Sequence, residues 1–196
     1  MSVDLFTPLS LRATTVPNRV MVSPMCQYSC ENRDGRATDW HAQHLMSRAV
    51  GGAGIVMTEA TAVDPQGRIS PEDLGIWADD HIEPLVEITD FIREQGSVPG
   101  MQLAHAGRKA STSRPWEGHD PLQPEDGGWD VLGSTDEPYP YGEQTPPETN
   151  RMSHDDIETV TEAFVDAAER ASEAGFEVAE VHAAHGYLLH EFLSPV

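Results

Sequence analysis

Four short apolar runs alternate with three amphipathic stretches along this chain, and that order restricts the fold more than any other feature. The runs cover residues 18–23, 54–60, 98–104 and 176–181; helical patterns cover 39–50, about 80–95 and 153–174. A strand that returns through a helix to its neighbour makes a right-handed parallel crossover, so the order β-α-β-α-β-α-β predicts a parallel sheet. Glycines close each helix: Gly51-Gly52, Gly96 and Gly175. In the second helix Ile82, Leu85, Val86, Ile88, Thr89 and Ile92 recur at helical spacing. In the third, Ile157, Val160, Phe164, Ala167, Ala168 and Ala171 do the same. Thr38 is an N-cap candidate, and Ser153-His154-Asp155-Asp156 reads as a capping box with Asp in place of Glu. The apolar segment 5–11, with Pro8, reads as a small hairpin or cap.

Residues capable of chemistry fall just after the runs. Cys26 and Tyr28 follow the first, Ala60 ends the second, Gln102 and His105 sit near the end of the third, and His182, His185 and Tyr187 follow the fourth. That is the ligand edge of a (β/α)8 barrel or of a doubly wound sheet. The chain has 196 residues, short of the roughly 250 of a full barrel. The expectation is an α/β fold: the N-terminal half of a (β/α)8 TIM barrel, with about four parallel strands, three crossover helices and a long loop after the third strand. Residues 1–196 read as a single partial domain. Within it, 107–151 is a long insertion rich in Pro, Gly and Trp, the kind of loop that carries function or is disordered.

Residues two apart share a strand face, so His182 and His185 converge only if the chain turns after the strand, which Gly186 permits. Chemistry alone leaves three readings: a hydrogen-bonded core pair, a metal pair, or donors that polarise a carbonyl oxygen. The metal reading lacks further ligands at suitable spacing, and no metal is expected. His41 and His44, three apart on one helix face, suit packing or a helix start better than a metal pair. Cys26 and Cys30, spaced C-x-x-x-C, read as free thiols in a reducing cytosol, with Cys30 incidental.

Asp and Glu number 33 against 12 Lys and Arg, a net charge of −21, and Lys109 is the only lysine. Such a surface excludes nucleic acid and anionic membranes as partners. It predicts a cytoplasmic, salt-rich setting, where screening over about 3 Å at 1 M makes the self-repulsion tolerable. No run is long enough to span a membrane, and no signal peptide is read at the start. Arg108 and Lys109 form a basic pair that could pin the long loop through salt bridges.

Five motifs in order resemble the Old Yellow Enzyme family, in particular its bacterial branch with a cysteine beside the flavin. They are Ser23-Pro-Met-Cys-Gln-Tyr28, Gly67-Arg-Ile69, Asp73-Leu-Gly-Ile-Trp77, Gln102-Leu-Ala-His-Ala-Gly-Arg-Lys109 and the run from His182 to Pro195. The resemblance implies an FMN-containing (β/α)8 barrel that reduces activated C=C bonds of α,β-unsaturated carbonyl compounds with NADPH or NADH. Ser23, Pro24, Met25 and Cys26 would line the flavin, Ala60 would pack on it, and Gln102 would bond its pyrimidine edge. Tyr28, His182 and His185 would bind substrate, with the histidines polarising the carbonyl and Tyr187 acting as general acid. Trp116 could reach toward the site. The family's later strands, an arginine and the phosphate loops are not in this chain, so FMN is expected to bind weakly without a C-terminal half, the expected partner beside a homo-oligomer. Residues 133–135 also depart from the family, lacking an apolar-Pro-Ser pattern. The alternatives are a non-catalytic truncated remnant or interaction module without flavin, and a metal-binding protein built on His182 and His185.

Overall fold

The computed structural model describes residues 4–195. An antiparallel hairpin, β1 (Leu9–Leu11) and β2 (Thr14–Val16), comes first. There follow β3 (Met21–Val22), α1 (Asp39–Val50), β4 (Ile55–Ala62), α2 (Ile82–Glu94) and β5 (Val98–Ala104). A small parallel pair, β6 (Val131–Gly133) and β7 (Thr149–Arg151), precedes α3 (His154–Glu173), β8 (Val178–Val181) and α4 (Leu188–Leu193). β3, β4, β5 and β8 form one parallel sheet in that order. The four strands of this sheet lie in chain order, without the reversal that marks a doubly wound sheet. The four strands are therefore half of a (β/α)8 barrel.

Local chemistry sets the element ends. The capping box of α3 is formed: Ser153 Oγ accepts from Asp156 N at 3.2 Å, and Asp156 Oδ2 accepts from Ser153 N at 2.8 Å. β3 is shorter than its apolar run, because only Met21 and Val22 find ladder partners at this edge; the Val20 carbonyl still accepts from Gly54 N at 2.8 Å. β4 runs on to Ala62, since Thr61 and Ala62 stay in register with Leu103 and Ala104. The second strand of the leading hairpin lies beyond the 5–11 stretch.

The two faces of the sheet bury different things. Outward, Val56, Met101 and Leu103 pack under Leu45 and Ala49 of α1, Leu85, Ile88 and Ile92 of α2, and Ala167 and Ala171 of α3. Inward, Ile55, Met57 and Val98 pack with Val16, so the hairpin plugs the barrel interior near the N-terminal ends of the strands. Met57 lies over Gly100, where a Cβ would come within 2.2 Å of its sulfur. Both edge strands present apolar side chains to solvent: Met21 is 49% exposed and Val181 53%. No described helix is long and apolar enough to cross a membrane.

Leu85 is fully buried between helix and sheet. Leu85→Ala is expected to cost about 2–5 kcal/mol in urea unfolding; a loss under about 1 kcal/mol would mean that the helix layer does not hold this sheet together.

Candidate active site at the strand ends

The site is built on a fault in the β4–β5 ladder. Pairing advances from Met57 to Ala60 on β4 while advancing only from Gly100 to Gln102 on β5. The extra residue makes a β-bulge, which re-aims side chains. Thr58 Oγ1 takes over a ladder position, accepting from Gln102 N at 3.3 Å. Glu59, buried in the same bulge, accepts from Gln27 N through Oε2 at 2.8 Å. Its Oε1 lies 3.2 Å from His41 Nε2, close enough to bond but outside good hydrogen-bond geometry. His41 Nδ1 accepts from Thr38 N at 2.9 Å, which leaves the ring proton on Nε2 beside the carboxyl. His41 is thus a helix-start residue, as its spacing suggests.

Glu59 fixes the loop after β3, where Ser23, Pro24, Met25, Cys26 and Tyr28 follow one another. Ser23 and Met25 are exposed, and Pro24 and Cys26 half-buried. Gln27 is held three ways: its N–H to Glu59, its Nε2 to the Met25 carbonyl at 2.7 Å, and its Oε1 by Trp40 Nε1 at 3.0 Å. Tyr28 takes a left-handed backbone, φ 51°. Burial pushes the Cys26 thiol well up from its ordinary value, and Asp73 and Glu59 push the same way. Cys30 is fully buried and donates its S–H to the Arg36 carbonyl at 3.1 Å, a packing role.

Ala60 and Gln102 face each other in the β4–β5 register, and both are buried. Gln102 Nε2 donates to Glu180 Oε1 at 2.9 Å, from its register partner on β8.

After β8 the chain makes the turn that histidine convergence requires. His185 and Gly186 are both left-handed, φ 59° and 75°. The ring centroids of His182 and His185 come to 5.2 Å, as do those of His182 and Tyr187. His182 is buried, and burial followed by the nearby His185 holds its imidazole below its usual pKa, favouring the neutral ring. Burial raises the Tyr187 phenol, with Cys26 and Asp73 adding to it. Tyr28 rises for the same first reason.

The pair after β5 does not work through salt bridges. Lys109 Nζ donates to the His185 carbonyl at 3.0 Å and stands 4.7 Å from the Tyr187 ring centroid, a cation–π contact. Arg108 Nη1 donates to the Glu137 carbonyl at 3.3 Å. The two side chains pin loops through main-chain oxygens, and Lys109 also through a ring, while the Arg108 main-chain N–H donates to Glu191 Oε1 at 3.1 Å. Trp116 stands edge-on to Tyr28, with ring centroids 5.8 Å apart. Among the described residues no group of three His, Cys, Asp or Glu could hold a metal.

Sequence reasoning misses Glu59, Asp73 and Lys109's role. Asp73 is buried and accepts from Ile69 N at 2.6 Å, Ser70 N at 3.1 Å and Ser70 Oγ at 2.9 Å. Burial outweighs those bonds and pushes its carboxyl up to about 7. The available signal is polarity in the wrong place: Thr58, Glu59 and Thr61 interrupt a strand that is buried throughout.

Together these elements define half of a (β/α)8 barrel whose strand ends carry a cluster of imidazole, phenol, thiol and amide. The chain belongs to the NADH:flavin oxidoreductase / NADH oxidase family, whose profile matches residues 4–196. It is 45% identical over 196 residues to the NADPH dehydrogenase of Bacillus subtilis (strain 168), covering 100% of this chain and 53% of that protein. It is 46% identical over 198 residues to an NADH:flavin oxidoreductase of Gibberella zeae, covering 100% of this chain and 47% of that one. Among solved structures, the old yellow enzyme homologue from Zymomonas mobilis superposes with a TM-score of 0.81 at 27% identity, over 98% of this chain and 52% of that one. Morphinone reductase in complex with tetrahydroNAD gives 0.82 at 26% identity, over 99% and 53%. The chain thus spans about half the length of the curated relatives it matches, and its fold is that of half their barrel.

Glu59→Ala removes the acceptor for Gln27 N and the carboxyl facing His41. Each buried donor left unpaired costs about 1–3 kcal/mol, and Glu59→Gln, which keeps an acceptor, is expected to recover part of the loss. Urea midpoints of the two variants check this; equal losses would show that the Gln27 bond contributes nothing.

Proposed function

We propose that this chain is the flavin- and substrate-binding half of an NAD(P)H-dependent oxidoreductase that reduces activated C=C bonds of α,β-unsaturated carbonyl compounds. The observation that supports it most is the mutual approach of His182, His185 and Tyr187 at the strand end shared with Cys26 and Tyr28. The cofactor of its family is FMN, with a nicotinamide as reductant.

The residues fit FMN. A flat ring system needs a floor with little side chain and polar groups at its rim. Ala60 offers the first, and the Gln102 amide, oriented by Glu180, offers the second. Ser23, Pro24, Met25 and Cys26 would line the ring, and the half-buried, un-ionised Cys26 thiol would tune its redox potential. FMN, when bound, supplies the hydride for the β-carbon. The imidazole of His182, favoured in its neutral form by burial, and that of His185 each donate one N–H to the substrate carbonyl oxygen, withdrawing charge from the double bond. Tyr28 borders the same substrate. The Tyr187 phenol, kept protonated by burial, gives its Oη proton to the α-carbon as general acid. Lys109 holds this geometry by fixing the His185 carbonyl.

The exposed edges at Met21 and Val181 suit closure by the remaining barrel strands, which would also bring the phosphate-binding loops found after the seventh and eighth strands of such barrels. The excess of 33 acidic over 12 basic residues supports a salt-rich working environment.

In the FMN-loaded protein, Tyr187→Phe is expected to lower turnover of an enone by about 10²–10⁴-fold, the usual contribution of a positioned general acid. Steady-state kinetics at saturating enone measures it. Unchanged turnover would remove Tyr187 from the proton step.

A further inference from the structure

The loop after β5 folds back on itself, and Thr112 and Pro121 pair across it as an isolated bridge. Its base is tied to the site: the N–H and hydroxyl of Thr112 both donate to the Ile69 carbonyl, at 2.8 and 3.1 Å. Ser113 and Asp120 exchange two bonds across the loop, Ser113 N to the Asp120 carbonyl at 2.8 Å and Asp120 N to Ser113 Oγ at 2.9 Å. Gly118 and His119 turn the tip with φ of 117° and 57°. A tip bonded in this way carries Trp116, 64% exposed, edge-on to Tyr28.

Arg114 holds the indole there. Its guanidinium carbon lies 5.4 Å from the Trp116 ring centroid. Its two terminal nitrogens pair with Glu117 at 2.7 Å and with Glu31 at 2.9 Å, the latter on the loop that carries Cys26 and Tyr28. An indole left mostly in water yet fixed by a cation–π contact and two ion pairs serves no core. Its open face beside the Tyr28 phenol is a stacking surface at the mouth of the site.

We infer that Trp116 is a specificity-determining residue: its indole forms the outer wall of the substrate site and favours acceptors whose activated double bond is conjugated to a flat aromatic ring over small aliphatic enones. This rests on the enone-reducing reading of the site. Arg114 is the positioning residue that sets the wall.

The test uses FMN-loaded protein without reductant, titrated with 4-phenylbut-3-en-2-one and with cyclohex-2-enone while the flavin absorbance is followed. The readout is the ratio of the two dissociation constants. Trp116→Ala is expected to lower the preference for the aryl probe by about 3- to 10-fold, the usual worth of one aromatic contact. Trp116→Phe should keep most of it. Arg114→Ala should lose part, because the tip is then untethered. An unchanged ratio in Trp116→Ala overturns the inference and leaves the site reading intact. A wild-type protein that binds FMN but responds to neither probe overturns both.

Discussion

The bulge in β4 is the constraint on which the rest of the site depends. One extra residue between Met57 and Ala60 turns Glu59 out of the ladder, where it bonds the loop after β3 and meets the start of α1. The same slip brings Ala60 opposite Gln102 and lets Thr58 satisfy the Gln102 amide. A regular strand would shift every later side chain to the other face, removing both the Glu59 anchor and the Ala60–Gln102 pair. A stretch of irregular pairing in a buried strand is tolerated because Thr58, Glu59 and Thr61 satisfy the polar groups it frees.

Burial then sets the charge state of the strand ends. Desolvation raises the Cys26, Tyr28 and Tyr187 acids and lowers the His182 base, so each group favours its neutral form. Under the proposed function, such neutral donors would hold a carbonyl oxygen without presenting competing charges. In a chain with net charge −21, a cation at this mouth is conspicuous, and the only lysine stands over the Tyr187 ring. An ammonium there stabilises the His185 turn through its carbonyl.

Much of this was legible in the chain. The alternation of apolar runs and amphipathic helices specifies parallel strands in sequence order, and Ser153 with Asp156 marks the start of α3 by chemistry that acts over three residues. The turn at Gly186 follows from the period of a strand, although the left-handed His185 beside it does not, because a positive φ at a single non-glycine residue leaves no pattern in the sequence. What escaped reading is long-range: Glu59 with Gln27 and His41, Lys109 with His185, Arg114 with Glu31. Those partners are separated in sequence and have no periodic signature. The carbonyl partner of Cys30 is likewise visible only once the loop closes.

In the proposed function this strand-end cluster binds a flavin and, over it, an activated carbonyl. The most direct measurement is the visible spectrum of the chain purified with FMN in molar KCl, together with the barrel strands its longer relatives carry, before and after adding an enone without reductant. Stoichiometric flavin absorbance is expected, with an enone-induced shift that is lost in the protein carrying both His182→Ala and His185→Ala. A folded protein that retains no FMN, or a shift that survives both substitutions, would contradict it.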